Sequence, residues 1–367
     1  MQKSFYSLLI MGVMLFSCNG GRKMSELMEF PVDIDQNTSL SLSEIAEEIT
    51  AIELELTDES LINPDRISRV LLCEDYVIIA EQRQILVFNT DGKFVRSIGS
   101  IGQGPGEYTG IRGVAVDERC RRLFVNSSSK ILCYALDGNC IKESRTDPAW
   151  SAADINYIND ELLLSTEQLG KDEKGRFKRS AVYRLNVQLQ IMDSCTVRDT
   201  YFERISLGIH RFEDFILSGN STVSLYVSDI YLNGSGPTET VLRDTLYRLE
   251  KNHLIPELKL KFKNNGIDGS GNKFIELFNM YRSSRFVFAV YGNTLNNTYY
   301  RFCYDTKTGK GYNMQDGYTD DINNIEKRVS IHPLNTDTEI FYYWHTHMNP
   351  DDLEEPNPTL YIGTLKK

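Results

Sequence analysis

Val70 and Val114 stand 44 residues apart, and Val77-Ile78 is echoed by Leu123-Phe124 at a spacing of 46. Ile85 is echoed by Ile131, and Asp91-Gly92 by Asp137-Gly138, again at 46. This periodicity constrains the fold more than any other feature of the chain. The first unit, Ile67–Ile98, reads as four short strands, Ile67–Leu72, Tyr76–Ala80, Ile85–Phe88 and Phe94–Ile98. Asn89–Gly92 (NTDG) forms a hairpin turn, because Asp-Gly accepts positive φ. The second unit, Ile111–Ile141, repeats the layout. A four-strand unit recurring every 44–46 residues cannot bury both faces alone and must stack on copies of itself, as β-propeller blades do.

Four more degenerate units follow. Ala153–Cys195 carries a charged insertion, Gly170–Arg179, read as a solvated hairpin tip. Arg204–Phe262 is widened by the loop Leu232–Pro237, and Arg285–Tyr312 and Glu326–Leu365 complete the series. The expected fold is all-β, a six-bladed propeller of four-stranded blades over residues 30–367. Ser43–Glu48 reads as a short capped helical turn. The strand Ile49–Leu56 then places Ile52, Leu54 and Leu56 on one face. That strand and the C-terminal Leu360–Leu365 are available to share one blade, which closes the ring and removes free sheet edges.

Between the first two units lies Gly99–Tyr108, GSIGQGPGEY, too glycine-rich for a strand or helix. It lacks the Gly-Lys-Ser/Thr of a phosphate loop, Pro105 removes an amide donor, and a strand rather than a helix follows. The expected role is a tight crossover with Gly102, Gly104, Pro105 and Gly106 as its structural residues. Gln103, Glu107, Tyr108 and Arg112 are the candidate ligand rim, because connections between blades line a propeller's face.

At the N-terminus, Lys3 precedes the apolar run Leu8–Phe16, too short to span a bilayer. The run ends in Leu15-Phe16-Ser17-Cys18, which resembles a bacterial lipobox. Residues 1–17 then read as a lipoprotein signal peptide, Cys18 as the lipidated residue and residues 18–29 as a flexible tether. Asn19–Lys23 (NGGRK) lacks an acidic export cluster, which favours the periplasmic face of the outer membrane over the cell surface.

With 51 acidic against 40 basic residues the net charge is −11, and cleavage before Cys18 removes only Lys3, giving −12. Such a balance argues against nucleic acid as a partner, since phosphate backbones need a basic surface. Cys73, Cys120, Cys133, Cys140, Cys195 and Cys303 form no CxxC pair and match no zinc spacing. They read chiefly as buried thiols, although the spacing of Cys120, Cys133 and Cys140 also allows a bridge within one unit.

Several stretches carry a family resemblance: Val87–Asp117 (VFNTDGKFVRSIGSIGQGPGEYTGIRGVAVD), Ile52–Ile62, Asp244–Leu260 and Asn357–Lys367. Together with the lipobox they resemble the six-bladed propeller lipoproteins of Bacteroidetes, a group related to NHL-repeat propellers. That resemblance implies a fold and a location in the cell envelope rather than an activity.

His345 and His347, in Trp344–His347, are the only histidine cluster. On a strand, residues i and i+2 share a face, so the pair is a weak metal-ligand candidate, with Asp351 and Asp352 nearby in sequence. The alternative is a solvated pair on an edge strand. His210, His253 and His332 stand alone, and no nucleophile elbow occurs, so no catalytic residue is assigned and no cofactor is expected. Tyr299-Tyr300 and Phe341–Tyr343 are suited to stacking on sugars or to core packing. The function expected is a lipid-anchored, non-catalytic binding or scaffolding propeller for a glycan, peptide or envelope protein. The alternative is a lyase or hydrolase with a metal or carboxylate site at the central channel.

Overall fold

The computed structural model describes residues 27–127, 130–147, 150–202, 215–217, 223–226, 228, 242–336, 338–348 and 355–367. The expected signal peptide (residues 1–17), Cys18, His210, Arg204–Ile209, Leu232–Pro237, Asp351 and Asp352 lie outside these residues. Six antiparallel four-stranded blades form a ring. Blade 1 comprises Ile67–Leu72, Tyr76–Glu81, Ile85–Asn89 and Phe94–Ser97, and blade 2 comprises Ile111–Asp117, Arg122–Ser127, Lys130–Ala135 and Cys140–Arg145. Blade 3 runs from Trp150 to Phe202. Blade 4 holds Phe215–Leu217, Val223–Leu225, Thr245–Glu250 and His253–Phe262. Blade 5 holds Ile275–Arg282, Phe286–Asn293, Thr298–Asp305 and Lys310–Gln315. Its first strand lies ahead of the expected start at Arg285, because IELFNMYR lacks a clean period-two pattern.

Alternate residues of one strand feed opposite seams. In Tyr76–Glu81, Ile78 and Ala80 pack against blade 2, whereas Val77 and Ile79 pack against blade 6. Strands buried on both faces therefore read as continuous apolar runs such as YVIIA and ILVF rather than as alternating ones. Each of the six seams carries one apolar cluster, built on the aromatic pair Tyr281–Phe288 between blades 5 and 6, for example.

Ring closure follows the expectation. Ala46–Glu53 pairs antiparallel with Thr359–Leu365, the third strand of blade 6, and so completes that blade behind His332–Asn335 and Ile340–His345. The helical turn is Leu42–Ile45, with the Glu44 carboxylate accepting the Ser41 N–H at 3.0 Å. What the sequence reading missed is the segment before it. Met28–Val32 adds to blade 4 as a fifth strand, parallel to His253–Phe262, and straddles residue 30, where the propeller was expected to begin. Thr38 then hydrogen-bonds Asn313 of blade 5, donating its N–H to the Asn313 carbonyl at 2.7 Å. The N-terminal segment is thus a strap over blades 4, 5 and 6.

The expected hairpin tip in blade 3 is narrower than Gly170–Arg179. Strands Glu161–Asp172 and Gly175–Asn186 stay paired to their ends, and Phe177 and Lys178 are buried. Leu56 falls beyond the closing strand and is exposed, while Leu54 is buried. The six cysteines of the described residues, Cys73, Cys120, Cys133, Cys140, Cys195 and Cys303, are free. Cys133 and Cys303 are buried as expected, whereas Cys120 and Cys140 are exposed.

The closing strand meets blade 1 at Gly92, whose φ is +81° and where a Cβ would sit on the Glu53 carbonyl. Glu55 N–H donates to the Gly92 carbonyl at 2.9 Å across the same junction. Gly92→Ala should therefore cost more than about 1 kcal/mol in denaturant unfolding. Gly269→Ala, in open space, should stay within about 0.5 kcal/mol. Equal effects of the two would contradict this account of the closure.

Candidate functional face and central channel

In every blade the first strand starts, and the second ends, on the face where the preceding blade's connector arrives. The glycine-rich connector, Arg112, Tyr299 and His345 therefore share one face of the ring, called here the connector face.

On it, Gly99–Gly110 is a packed loop. Glu107 lies over Gly102 and Gly104, where a Cβ would strike its carboxylate, and that carboxylate accepts the Gly104 N–H at 2.8 Å. Tyr108 is buried, and its hydroxyl donates to the Ile98 carbonyl at 3.1 Å. Buried Lys130 donates to the Gly104 carbonyl and pairs with Glu143, which also accepts the Gly106 N–H. Gly99 and Gly106 adopt positive φ, and Gly99 leaves room for the Tyr108 and Tyr134 rings. Of the four rim candidates, Gln103 and Arg112 are exposed, Glu107 is half-buried beneath the loop, and Tyr108 is core.

The first strands of blades 1, 2, 3 and 5 each carry a register shift toward their connector-face end, at Ile67/Arg69, Ile111/Gly113, Ala152/Ile155 and Leu277/Asn279, whereas that of blade 6, at Pro333/Asn335, falls at the hairpin end. A bulge re-aims side chains, and in blade 1 it accompanies the reach of Arg69 to the first strands of blades 2 and 3. Arg69 uses this geometry to span three blades. Its guanidinium donates to the Val114 carbonyl of blade 2 at 3.1 Å and to the Ile155 carbonyl of blade 3 at 2.9 Å. It also pairs with Asp154 at 2.8 Å. The two side chains are 7% and 6% exposed. Gly113, at the position in blade 2 equivalent to Arg69, keeps the path open, since a Cβ there would strike Asp154 and the Ile155 amide. Sequence reasoning missed this pair. The only signal is that the 44-residue spacing sets Gly113 opposite Arg69.

His345 ends the second strand of blade 6, between His332–Asn335 and Thr359–Leu365, so the edge-strand reading of the pair is corrected. The His345 and His347 rings meet edge to face with centroids 4.6 Å apart, and His347 Nε2 lies 2.7 Å from the Tyr361 hydroxyl. Burial, and then the neighbouring His347, hold His345 below the usual histidine range. Among the described residues no group of three or more His, Cys, Asp or Glu side chains gathers at metal-binding distance. The tyrosine pair divides: Tyr300 is buried core, whereas Tyr299 is 61% exposed. Phe341, Tyr342 and Tyr343 are all buried.

These features define a β-propeller in which a buried ion pair ties the first strands of three blades and a packed loop stands on one face. The chain belongs to the family described as "Domain of unknown function (DUF4934)", which matches residues 27–360. No curated protein matches the sequence. A Bacteroides fragilis protein, provisionally named as exported, is similar in fold. It is 18% identical, with a TM-score of 0.64, over 93% of this chain and 100% of that one. Weaker likenesses include the Pan2 WD40 domain of Neurospora crassa, at 12% identity and TM-score 0.43 over 82% of this chain and 76% of that one. The Cps50 (Swd1) propeller domain of Myceliophteria thermophila has 9% identity and TM-score 0.41, covering 86% and 99% of the two chains.

Two outcomes follow. Arg69→Met or Asp154→Asn alone should cost about 3–5 kcal/mol, because each strands a buried polar partner. The double variant Arg69→Met with Asp154→Leu should recover only part of the loss, because the Val114 and Ile155 carbonyls stay without their donor, and near-neutral single variants would contradict the role assigned to the pair. Separately, burial and then the Arg301 charge push the His332 pKa down to about 4. An unfolded histidine titrates near 6.5, so the unfolded chain takes up this proton first as pH falls. The contribution of His332 to stability should be intact above pH 6.5 and decline as pH falls toward 4. His332→Phe should flatten that dependence in pH-resolved denaturation curves. An unchanged profile would refute it.

Proposed function

We propose that this chain is a non-catalytic binding propeller of the cell envelope, held by acyl chains on Cys18 at the periplasmic face of the outer membrane. The observation that carries the reading is the Arg69–Asp154 pair. The axis, where a propeller enzyme of the lyase or hydrolase kind would gather its reacting groups from several blades, is occupied here by a satisfied ion pair that ties three blades together. Binding chemistry is then left to the connector face, where a rigid loop presents Gln103 and Arg112 to solvent. A preformed rim suits a glycan, peptide or envelope protein because little ordering entropy is lost on association. The envelope assignment is supported by the lipobox-like Leu15–Cys18 and by the provisional naming of the Bacteroides fragilis relative as exported. The relation to NHL-repeat propellers rests on the Val87–Asp117 resemblance.

The test is photo-crosslinking in native cells. A photoreactive residue at Gln103 should give discrete adducts, and one at Asp137, exposed in a turn on the opposite face, should not. In the companion Cys18→Ala strain the protein should leave the membrane fraction. Identical adducts from both positions, or none from the connector face, would overturn the binding assignment. Unchanged membrane retention would overturn the anchor.

A further inference from the structure

Arg301 lies on the third strand of blade 5, two residues from Cys303, and shares its face toward blade 6. It is half-buried, and among the described residues it makes no hydrogen bond and no ion pair. Burial pulls its pKa below the usual arginine range, with only Tyr318 and Asp316 acting in the opposite direction. Four other buried or half-buried cations, Arg69, Arg122, Arg285 and Lys130, each hold a carboxylate. In a chain with 51 acidic residues, an arginine left in a cleft without one is conspicuous. A desolvated charge without a partner is costly, and a guanidinium fork is shaped for a bidentate carboxylate.

A second orphan sits in the same cross-strand row. Asn279 pairs in register with Val290, and Val290 with Arg301, so Asn279 and Arg301 occupy one face with a single strand between them. The Asn279 Oδ1 atom is buried and has no hydrogen-bond partner. Two strand spacings separate their backbones by about 9.5 Å, so a small molecule lying over Val290, which stands between them on that face, can reach both. That molecule must present a carboxylate to Arg301 and donate a hydrogen bond to Asn279.

One row nearer the connector face, Phe278 and Tyr299 flank Gly292. Their ring centroids are 5.6 Å apart and tilted by 32°. A Cβ at Gly292 would come within 3.3 Å of the Phe278 ring, so the glycine leaves room for the aromatic pair. Tyr299 keeps most of its surface in solvent, giving an open apolar shelf beside the two orphaned polar groups.

We propose that the cleft between blades 5 and 6 is a binding site for an acidic sugar. Arg301 holds the carboxylate, Asn279 accepts a sugar hydroxyl, and Phe278 with Tyr299 supports the apolar face of the ring. A uronic-acid unit meets all three demands, whereas an acidic peptide side chain brings the carboxylate without the neighbouring hydroxyl. This assignment rests on the binding-module reading and names its ligand class.

The test uses the full chain purified in detergent, titrated with D-glucuronate and D-galacturonate beside glucose and galactose. The Arg301 side chain and the His332 ring are followed by NMR. Saturable shifts are expected with a uronate and not with the neutral sugars, and the His332 pKa should rise as the bound carboxylate offsets the Arg301 charge. Arg301→Gln should weaken binding by about tenfold or more without lowering Tm, because no intramolecular partner is lost. Arg301→Lys should fall between the two, and Tyr299→Ala should weaken binding severalfold. Failure of both uronates to saturate at tens of millimolar, equal affinity for the neutral sugars, or unchanged binding by Arg301→Gln would overturn the assignment. Preferential binding of a glutamate-rich peptide would overturn the sugar class. Gln103 cross-links that persist without uronate binding would sink this site alone, whereas loss of both would sink the binding reading as well.

Discussion

The guanidinium of Arg69 solves a problem that the apolar seams cannot. Six seams hold neighbouring blades together, but each links only two of them, and the ring they form surrounds an axis lined by the edges of six first strands. The outward carbonyls of those strands have no ladder partner on the axial side, and burying them unpaired is expensive. Arg69 supplies donors to two such carbonyls on different blades and takes its countercharge from Asp154 on the third blade. This geometry goes with the register shifts at Ile67/Arg69 and Ile111/Gly113 and needs Gly113, which leaves space for the crossing. One side chain thereby fixes the relative positions of blades 1, 2 and 3.

The other half of the ring is held differently. The N-terminal strap covers the outer edge of blade 4, is pinned to Asn313 of blade 5 and ends as the fourth strand of blade 6. Covering the edge of blade 4 hides a row of unpaired amides, and completing blade 6 ties the two ends of the domain together. Blade 5, between them, keeps its apolar rows near the opposite face but carries Asn279 and Arg301 where its seam opens onto the connector face. Stability is thus concentrated at the axis of one half and at the periphery of the other. Asn279 and Arg301 lie on blade 5, away from the Arg69 crossing.

Much of the fold was legible because the repeat is physical. A strand buried on both faces must be apolar throughout, and the Asp-Gly turns recur where positive φ is required, at Gly92 and Gly138. The strap escaped notice because MEFPV carries a proline and no clean alternation. Pro31 is tolerated on an outer strand, where its missing N–H costs no interior ladder bond. The site was less legible than the fold. Glu107 and the glycines over which it lies explain one another only once the loop is closed. Tyr299 and Tyr300 differ by one residue of phase, which puts one in solvent and the other in the core. Arg69, Asp154 and Arg301 carry no motif, because each is defined by residues tens of positions away in other strands or blades.

Hydrogen–deuterium exchange tests most directly the proposed division between a structural axis and a binding face. Full-length protein would be compared in native envelopes and after purification. The expected result is added protection in the envelope at connector-face segments, Gly99–Gly110 and the turn leading into Tyr299, with Ile67–Leu72 and Ile111–Asp117 equally slow in both states. New protection on those inner strands, or on the opposite face instead, would contradict it by placing the partner in the channel or on the hairpin turns.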